Sequence, residues 1–530
     1  MNRNERWQAL RPRIPGLIAL VCGALAVGLA AYFMIGPARG YYHADCADTI
    51  FWSEASWDAK ALYNTEFTYA CLLPFGGELL MMPFVALFGV SFTAHTLGML
   101  LFLAALTAAV VWFCRTMDWS WGWTGLMLTC VLGVLCLSEK LREIYFGHII
   151  YYSLGGLFLL VGLSLLRRAE AGGVTGWRIV WLCVWFFLCS LNGLSALALF
   201  AVPALGGYYG ERFTECSEPL LGETQRPALL TTLFALLSSA LGYGAGILLA
   251  HNVTEGYANA YSGFSPVAEW SEHLLSFLPH WLTLLGVNLS GSEHFMTADG
   301  IAALLRIGGG ILLLLAPVVA VFFWKKLSRP TRVMLLAHGC SSAVILFAFI
   351  FGTLSSANWR LSPMVFTATV TTVMLAYELC RGRGKRFGVL LLAAAAVLSA
   401  FGLLTVARMP ADYGQDKGLC ELTAYLEQEG FTYGYATFWN AGAVTVLSDS
   451  EVKVRNIQYS GADIRPYTYQ SQKSWFTDQG PEERYFLLLT AAEYNDLKTA
   501  GHPLTAEGTT VLQHGNYRIV PLERALFAGG

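Results

Sequence analysis

The sequence predicts an α-helical polytopic membrane protein of about eleven transmembrane helices, followed by a small extracytoplasmic α/β domain. Three observations lead there. Of the 530 residues, 55% are hydrophobic and 13% charged, where a soluble domain carries about 25% charged residues. Apolar runs nearly free of charge, most of them about 17 to 24 residues long, recur through the first three quarters, and a helix of that length crosses about 30 Å of hydrocarbon. After Arg408 these runs stop and the composition turns polar. A net charge of −2 gives no reason to expect nucleic acid as a partner.

The apolar runs are residues 14–34, 92–114, 121–137, 149–166, the close pair 179–190 and 194–208, then 227–250, 300–324, 333–354, 361–377 and 387–406. The first follows Arg3, Arg6, Arg11 and Arg13, as the core of a signal peptide would. It is too long for a typical h-region and further spans follow, so it reads as a span. Segment 72–90 is also apolar, but Pro74, Gly76, Gly77, Glu78 and Pro83 interrupt it.

Charge decides how 72–90 is read, because short loops rich in Lys and Arg stay inside. With that segment at the interface, 18 basic residues fall inside: the four N-terminal arginines, Arg115, Arg167, Arg168, Arg178, Arg212, Arg226, Lys325, Lys326, Arg329, Arg332, Arg381, Arg383, Lys385 and Arg386. Only Arg39, Lys60, Lys140, Arg142 and Arg360 fall outside. A spanning 72–90 would reverse every later loop. The expected arrangement is therefore a multi-pass cell-membrane protein with a cytoplasmic N-terminus, a membrane part over 1–408 and an extracytoplasmic domain over 409–530.

This topology leaves long outside loops at 35–91 and 251–299. The second has no Lys or Arg but carries Glu255, Glu269, Glu272, Glu293 and Asp299, and its stretch 266–287 reads as a helix lying on the membrane surface. In the C-terminal domain a helix over 416–428 stops at Gly430. Strands are expected at 433–437, 452–457, 485–490, 509–512 and 517–521, with a helix at 491–500. No nucleophile motif or metal spacing appears there, so the domain reads as a cap on the outer loops. The twelve cysteines show no CxxC or Cys/His spacing, so no metal site is identifiable, and the cofactor question, a divalent cation included, stays open. Cys46 and Cys71 share the first outside loop, which allows a disulfide between them.

The first outside loop opens with His43-Ala-Asp45-Cys-Ala-Asp48. In a helix Asp45 and Asp48 lie on one face, where paired carboxylates can orient a hydroxyl and take its proton; merely solvated carboxylates are the plainer alternative. The second outside loop carries Glu139, Lys140, Arg142, Glu143, Tyr145 and His148. Glu143 and His148 are candidates for substrate contact, although a histidine at an interface is more often simply hydrogen-bonded there. Arg360, beside Trp359 in a late outside turn, suits bidentate grip of a phosphate; snorkelling is the competing explanation.

These residues resemble those of the membrane glycosyltransferases of the GT-C fold, which take a sugar from a polyprenyl-phosphate or dolichyl-phosphate carrier. The likeness covers most of the membrane part. It comprises one span, then a long outside loop opening with Asp45 and Asp48, a Pro/Gly-containing interfacial stretch ending in Leu87-Phe88-Gly89, and later Arg360 followed by Pro363. Two features depart from the family pattern: two residues separate the acidic pair, and Leu361 stands where an aromatic usually follows the late Arg.

What the resemblance implies is inverting transfer of a sugar from a polyprenyl-phosphate carrier to an acceptor hydroxyl at the outer membrane face, with Asp45 or Asp48 as the base, Arg360 at the carrier phosphate and a glycan, lipid or protein as acceptor. No nucleotide-binding glycine loop contradicts it. A transporter or flippase is the alternative, and it would be expected to carry charges within its spans and two related halves. A non-catalytic assembly or sensor protein is a third reading, set against the acidic residues gathered after the first span.

Overall fold

The computed structural model describes residues 14–171, 176–215, 225–250, 263–288, 294, 296–382, 384–477, 480 and 483–527. Arg3, Arg6, Arg11, Arg13, Glu255, Glu293 and Arg383 lie outside the described residues. The membrane part comprises α1 (Ile14–Ile35), α2 (Ala44–Ala59), α3 (Glu78–Phe88), α4 (Phe92–Thr116), α5 (Trp121–Leu135), α6 (Glu139–Arg142), α7 (Tyr151–Ala171), α8 (Trp177–Ser190) and α9 (Val202–Glu215). It continues with α10 (Arg226–Ala250), α11 (Trp270–Leu284), α12 (Ala298–Ala320), α13 (Arg329–Phe351), α14 (Ser362–Arg381) and α15 (Lys385–Ala407).

Among the described residues, seven helices are long and apolar enough to cross a membrane, or eight with α5 and its continuation through Gly147, which bends by 117°. Each of the eleven expected runs is helical, but four are not single helices both long and apolar enough to cross. Run 121–137 stops at Leu135 and bends. Run 149–166 is α7, whose far end carries Arg167, Arg168 and Glu170. Run 179–190 is the 14-residue α8, and run 194–208 passes through a π turn at Leu197–Ala201 before α9. Segment 72–90 holds only the 11-residue α3, about 16 Å long and too short to cross. Its reading as a segment that does not span agrees with that length.

Small residues set the helix packing. A Cβ on Gly125 would come within 2.5 Å of the Ala19 carbonyl of α1, and one on Gly133 within 2.5 Å of Ser399 Cβ of α15. Without a hydrophobic drive between helices in lipid, such close backbone approach supplies the association. At one end of the bundle, fully buried Glu211 of α9 accepts from Arg329 Nε at 3.1 Å and Arg332 Nη2 at 2.9 Å, while Glu170 of α7 pairs with Arg329 Nη2 at 2.8 Å and with Arg212.

The stretch expected to lie on the surface forms α11. Its Leu274, Leu275 and Leu278 are exposed while Trp281 is buried and donates to the Gly310 carbonyl at 3.0 Å.

The C-terminal domain contains α16 (Gly418–Gln428), β2 (Tyr433–Thr437), α17 (Phe438–Leu447), β3 (Lys453–Ser460), β4 (Asp463–Pro466), β6 (Tyr485–Thr490), α18 (Ala491–Thr499), β7 (Leu512–His514) and β8 (Tyr517–Leu522). Its six-stranded sheet runs β4-β3-β2-β6-β8-β7, with parallel pairing of β2 to β3 and to β6. The strands at 433–437 and 485–490 fall where the sequence predicts them. The strand expected at 509–512 begins only at Leu512, where pairing with β8 starts. Helix α17 and strand β4 are additions: the run Phe438-Trp-Asn-Ala-Gly-Ala-Val-Thr-Val-Leu has no clean helical period because most of its residues are buried.

The domain is docked on the loop 35–91. Strand β1 (Phe67–Thr68) pairs with β5 (Ser471–Gln472), antiparallel. Arg39 Nη2 donates to the Leu447 carbonyl at 2.7 Å, and Asp449 Oδ1 accepts from Phe92 N at 2.9 Å. The docking holds α2 between the membrane helices and the sheet domain.

Candidate active site

Helix α2 begins where His43, in extended conformation, stops the preceding 3-10 turn, and it ends at Lys60 in the left-handed region with φ of 52°. Its faces do different things. Ala44, Ala47, Asp48 and Phe51 line a narrow cleft facing the C-terminal domain. Cys46, on the opposite side, lines a small cavity shared with Phe33, Tyr42, His95, Glu139 and Glu143. Asp45 occupies the first turn between these faces, where the helix dipole favours a negative charge.

The segment after α5 is brought to this turn by α6 and the π turn Glu143–Gly147 that follows it. Ser138 caps α6 by accepting from Leu141 N, and the Gly147 carbonyl is held by His95 Nε2 at 2.9 Å. The result is a chain of polar contacts. Lys140 Nζ lies 4.9 Å from the Trp359 ring centre and 2.6 Å from Glu143 Oε2. Glu143 Oε1 lies 3.3 Å from His43 Nε2, and Cys46 Sγ lies 3.8 Å from His148 Nδ1.

Electrostatics divides these groups. The negative charge of Cys46, with Glu143 adding to it, raises His43 to about 11 against the pull of burial. Burial alone would push the Cys46 thiol up, but the charge of His43 and hydrogen bonds from His148 and His43 outweigh it and bring the thiol to about 6. Burial likewise opposes ionisation of Glu143, yet His43, His148 and Lys140 bring it to about 2. Asp48 goes the other way: burial, then the neighbouring Asp45 and Cys46, hold its carboxyl well above the usual range, with only His43 opposing.

The structure therefore brings Glu143, His148 and Trp359 to the start of α2. His148 is buried behind Cys46, and its Nε2 has no hydrogen-bond partner among the described residues. Arg360, also buried, donates to the Thr353 carbonyl at 2.8 Å and to Ser356 Oγ at 3.0 Å, within its own turn. Cys46 and Cys71 are both free thiols. The disulfide considered for them does not form, because the Cys46 thiol faces the two histidines instead.

Sequence reasoning missed His43, Cys46 and Lys140. The first two stand in the quoted run beside Asp45, but their pairing with Glu143 and His148, about a hundred residues away, leaves no local spacing signal. Among the described residues, no group of three or more His, Cys, Asp and Glu side chains is placed to hold a metal ion.

No protein-family model and no curated protein matches the sequence of the chain. Solved structures are similar in fold. ArnT from Cupriavidus metallidurans, in its apo state, superposes with a TM-score of 0.51 at 13% identity, over 97% of this chain and 99% of that one. The apo oligosaccharyltransferase of Archaeoglobus fulgidus gives 0.45 at 12% identity, over 94% of this chain and 73% of that one. The same protein in complex with zinc and sulfate gives 0.48 at 11% identity, over 93% and 70%. The chain has the GT-C fold and is a multi-pass membrane protein.

Proposed function

We propose that this GT-C-fold chain is an integral-membrane glycosyltransferase, moving a sugar from a polyprenyl-phosphate carrier to an acceptor hydroxyl at the outer membrane face with inversion at the sugar carbon. The observation that carries the reading is the first turn of α2. There Asp45, in the half-buried turn between a cavity and a cleft, sits beside a second aspartate and a cluster of charged side chains, on a fold shared along its whole length with ArnT.

In this reaction the acceptor oxygen bonds to the anomeric carbon as the bond to the carrier phosphate breaks. The phosphate leaves with the electron pair, and the acceptor's proton passes to a carboxylate. That carboxylate must be ionised before it can accept a proton. Asp48 is poorly suited, since burial and its neighbours favour its neutral form. Asp45 is the better base, and Asp48 is the hydrogen-bonding neighbour. Glu143, His148, Trp359 and Arg360 are assigned to substrate binding, with Arg360 at the carrier phosphate, where its bonds to Thr353 and Ser356 hold the guanidinium plane in one orientation.

The test is carrier-dependent transfer by the purified chain supplied with polyprenyl-phosphate sugars. Asp45→Asn should lower turnover by about 10² to 10⁴ while carrier binding persists. Full-rate transfer by the Asp45→Asn, Asp48→Asn double variant would sink the assignment. Arg360→Lys keeps the charge but loses the planar fork, so it should raise the carrier KM about tenfold, and an unchanged KM in Arg360→Ala would remove Arg360 from the phosphate.

A further inference from the structure

Two imidazoles bracket the Cys46 thiol, and they come from separate segments: His43 precedes α2, and His148 follows the π turn Glu143–Gly147. A third histidine, His95 in the first turn of α4, joins those segments one residue short of each. Its Nε2 donates to the carbonyl of Gly147, the residue before His148, at 2.9 Å. Its ring meets Tyr42, the residue before His43, edge to face with centres 4.9 Å apart, and its Nδ1 lies 3.5 Å from the Tyr42 hydroxyl. A carbonyl only accepts, so the Gly147 contact places the ring proton on Nε2 and leaves Nδ1 as an acceptor. The Tyr42 hydroxyl then shares its proton between two acceptors, His95 Nδ1 and the Cys46 carbonyl at 3.2 Å.

His95 is 4% exposed, and its turn is held in place. Ser91 caps α4 by accepting from Ala94 N at 3.1 Å. The C-terminal domain grips the same end, with Asp449 Oδ1 accepting from Phe92 N at 2.9 Å and Ser450 Oγ donating to the Val90 carbonyl at 2.6 Å. Phe92 stacks on the His95 ring with centres 6.2 Å apart. The segment that His95 holds passes against the thiol itself, since a Cβ on Gly147 would lie 3.7 Å from Cys46 Sγ. The other end of the π turn is tied to the same run before α2, where the Arg142 guanidinium lies 5.8 Å from the ring centre of Tyr41.

We propose that His95 is the positioning residue of this site: by joining Tyr42 to Gly147 it sets His43 and His148 on either side of Cys46 and keeps Glu143 within reach of His43. It acts through these groups rather than on a substrate. The contacts it maintains are long, 3.8 Å from Cys46 Sγ to His148 Nδ1 and 3.3 Å from His43 Nε2 to Glu143 Oε1, so a drift of about 1 Å between the two segments breaks both. A buried histidine that only fills space is the alternative. Filling space needs the ring, whereas positioning needs the Nε2 donor. The titratable groups around the thiol are Tyr41, Tyr42, His43, Asp45 and Asp48 from its own segment, Glu139, Lys140, Glu143 and His148 from the segment after α5, and His95 from α4. Of these, His43 and His148 stabilise its thiolate, so the thiol reports where the two imidazoles stand.

The thiol is therefore the readout, and it needs no transfer. Alkylation of Cys46 by iodoacetamide is followed against pH by mass spectrometry in the detergent-purified full chain, with the thermal midpoint recorded for each variant. His95→Phe keeps a ring between Phe92 and Tyr42 and removes both nitrogens. Its Cys46 midpoint should rise from near pH 6 to about pH 7 or beyond. His95→Gln sets an amide donor near the Nε2 position and should restore the wild-type midpoint, whereas the shorter amide of His95→Asn reaches only the Nδ1 position and should not. A wild-type midpoint in folded His95→Phe, or equal midpoints in His95→Gln and His95→Asn, would overturn the proposal; the second comparison decides by itself if His95→Phe does not fold. The consequence for transfer rests on the transferase reading: His95→Phe should lower turnover about tenfold through the displaced groups, and His95→Gln should recover it. A raised midpoint in a chain that transfers nothing would leave the role of His95 standing and overturn the transferase reading alone.

Discussion

Asp45 and Asp48 differ by three positions and by surroundings, and the surroundings decide their chemistry. Asp48 is enclosed between α2 and the C-terminal domain with negative neighbours, so replacing it by asparagine mimics the form it already favours. Asp48→Asn should therefore cost less than tenfold in turnover where Asp45→Asn costs at least a hundredfold; rate assays on the two single variants decide, and the reverse order would make Asp48 the base. The same turn contains a thiol brought from 9.0 to about 6. Alkylation of Cys46 by iodoacetamide, followed by mass spectrometry of its peptide, should thus titrate with a midpoint near pH 6, and a midpoint at 8.5 or above would contradict the imidazolium contact. The linkage has a definite sign. A depressed folded value contributes stability above the unfolded value and loses it as pH falls through about 6. Cys46→Ser should accordingly cost more thermal stability at pH 9 than at pH 5, as long as His43, which faces the thiol and is raised to about 11, stays protonated. Asp45, Asp48, Tyr41, Tyr42, His95, Glu139, Lys140, Glu143 and His148 are the other titratable groups gathered around this turn.

Helices here associate through what is missing from them as much as through what is present. On α15, a Cβ on Gly402 would fall within 2 Å of the Gly133 carbonyl of α5 and within 3.1 Å of the backbone at Cys136. Backbone on both sides cannot give way as a flexible side chain would. Overpacking of a tight site typically costs about 1 to 3 kcal/mol. Gly402→Leu should lower the thermal midpoint of the detergent-purified chain by several degrees, whereas Gly308→Leu on α12, where nothing lies within 4 Å of the added Cβ, should leave it near wild type; equal melting of the two variants would refute the seam. This matters for the site because α5 leads into α6, and a shifted α5 would withdraw Lys140 and Glu143 from His43.

For the whole molecule the open quantity is orientation, and the 18 to 5 division of basic residues is the argument for it. We place the C-terminal domain outside, together with the cleft and the start of α2. Ser328, between α12 and α13, and Glu451, between α17 and β3, are both exposed. On intact cells a membrane-impermeant maleimide should label Glu451→Cys and pass over Ser328→Cys, each read against the unsubstituted chain. Labelling of Ser328→Cys alone would invert the topology and move the proposed chemistry to the cytoplasmic face.

The membrane class was legible in the sequence because burial in lipid acts on composition, residue by residue: a run such as 92–114 or 387–406 declares itself without reference to any other part of the chain. The strands at 433–437 and 485–490 and the lack of a full-length helix over 72–90 were legible for a similar reason, since β-rich runs and interrupting Pro and Gly are local signals. The acidic pair was visible as spacing. The suppressed ionisation of Asp48 was not, because the burial that causes it comes from residues remote in sequence. Lys140, Glu143 and His148 reach His43 and Cys46 only through the sharp bend after α5, and Gln470 reaches Asp48 only because β1 pairs with β5 across some four hundred residues. Local sequence determines which solvent each segment prefers; which polar groups meet in the small space between two solvents is decided by long-range contact, and only the tertiary structure supplies that.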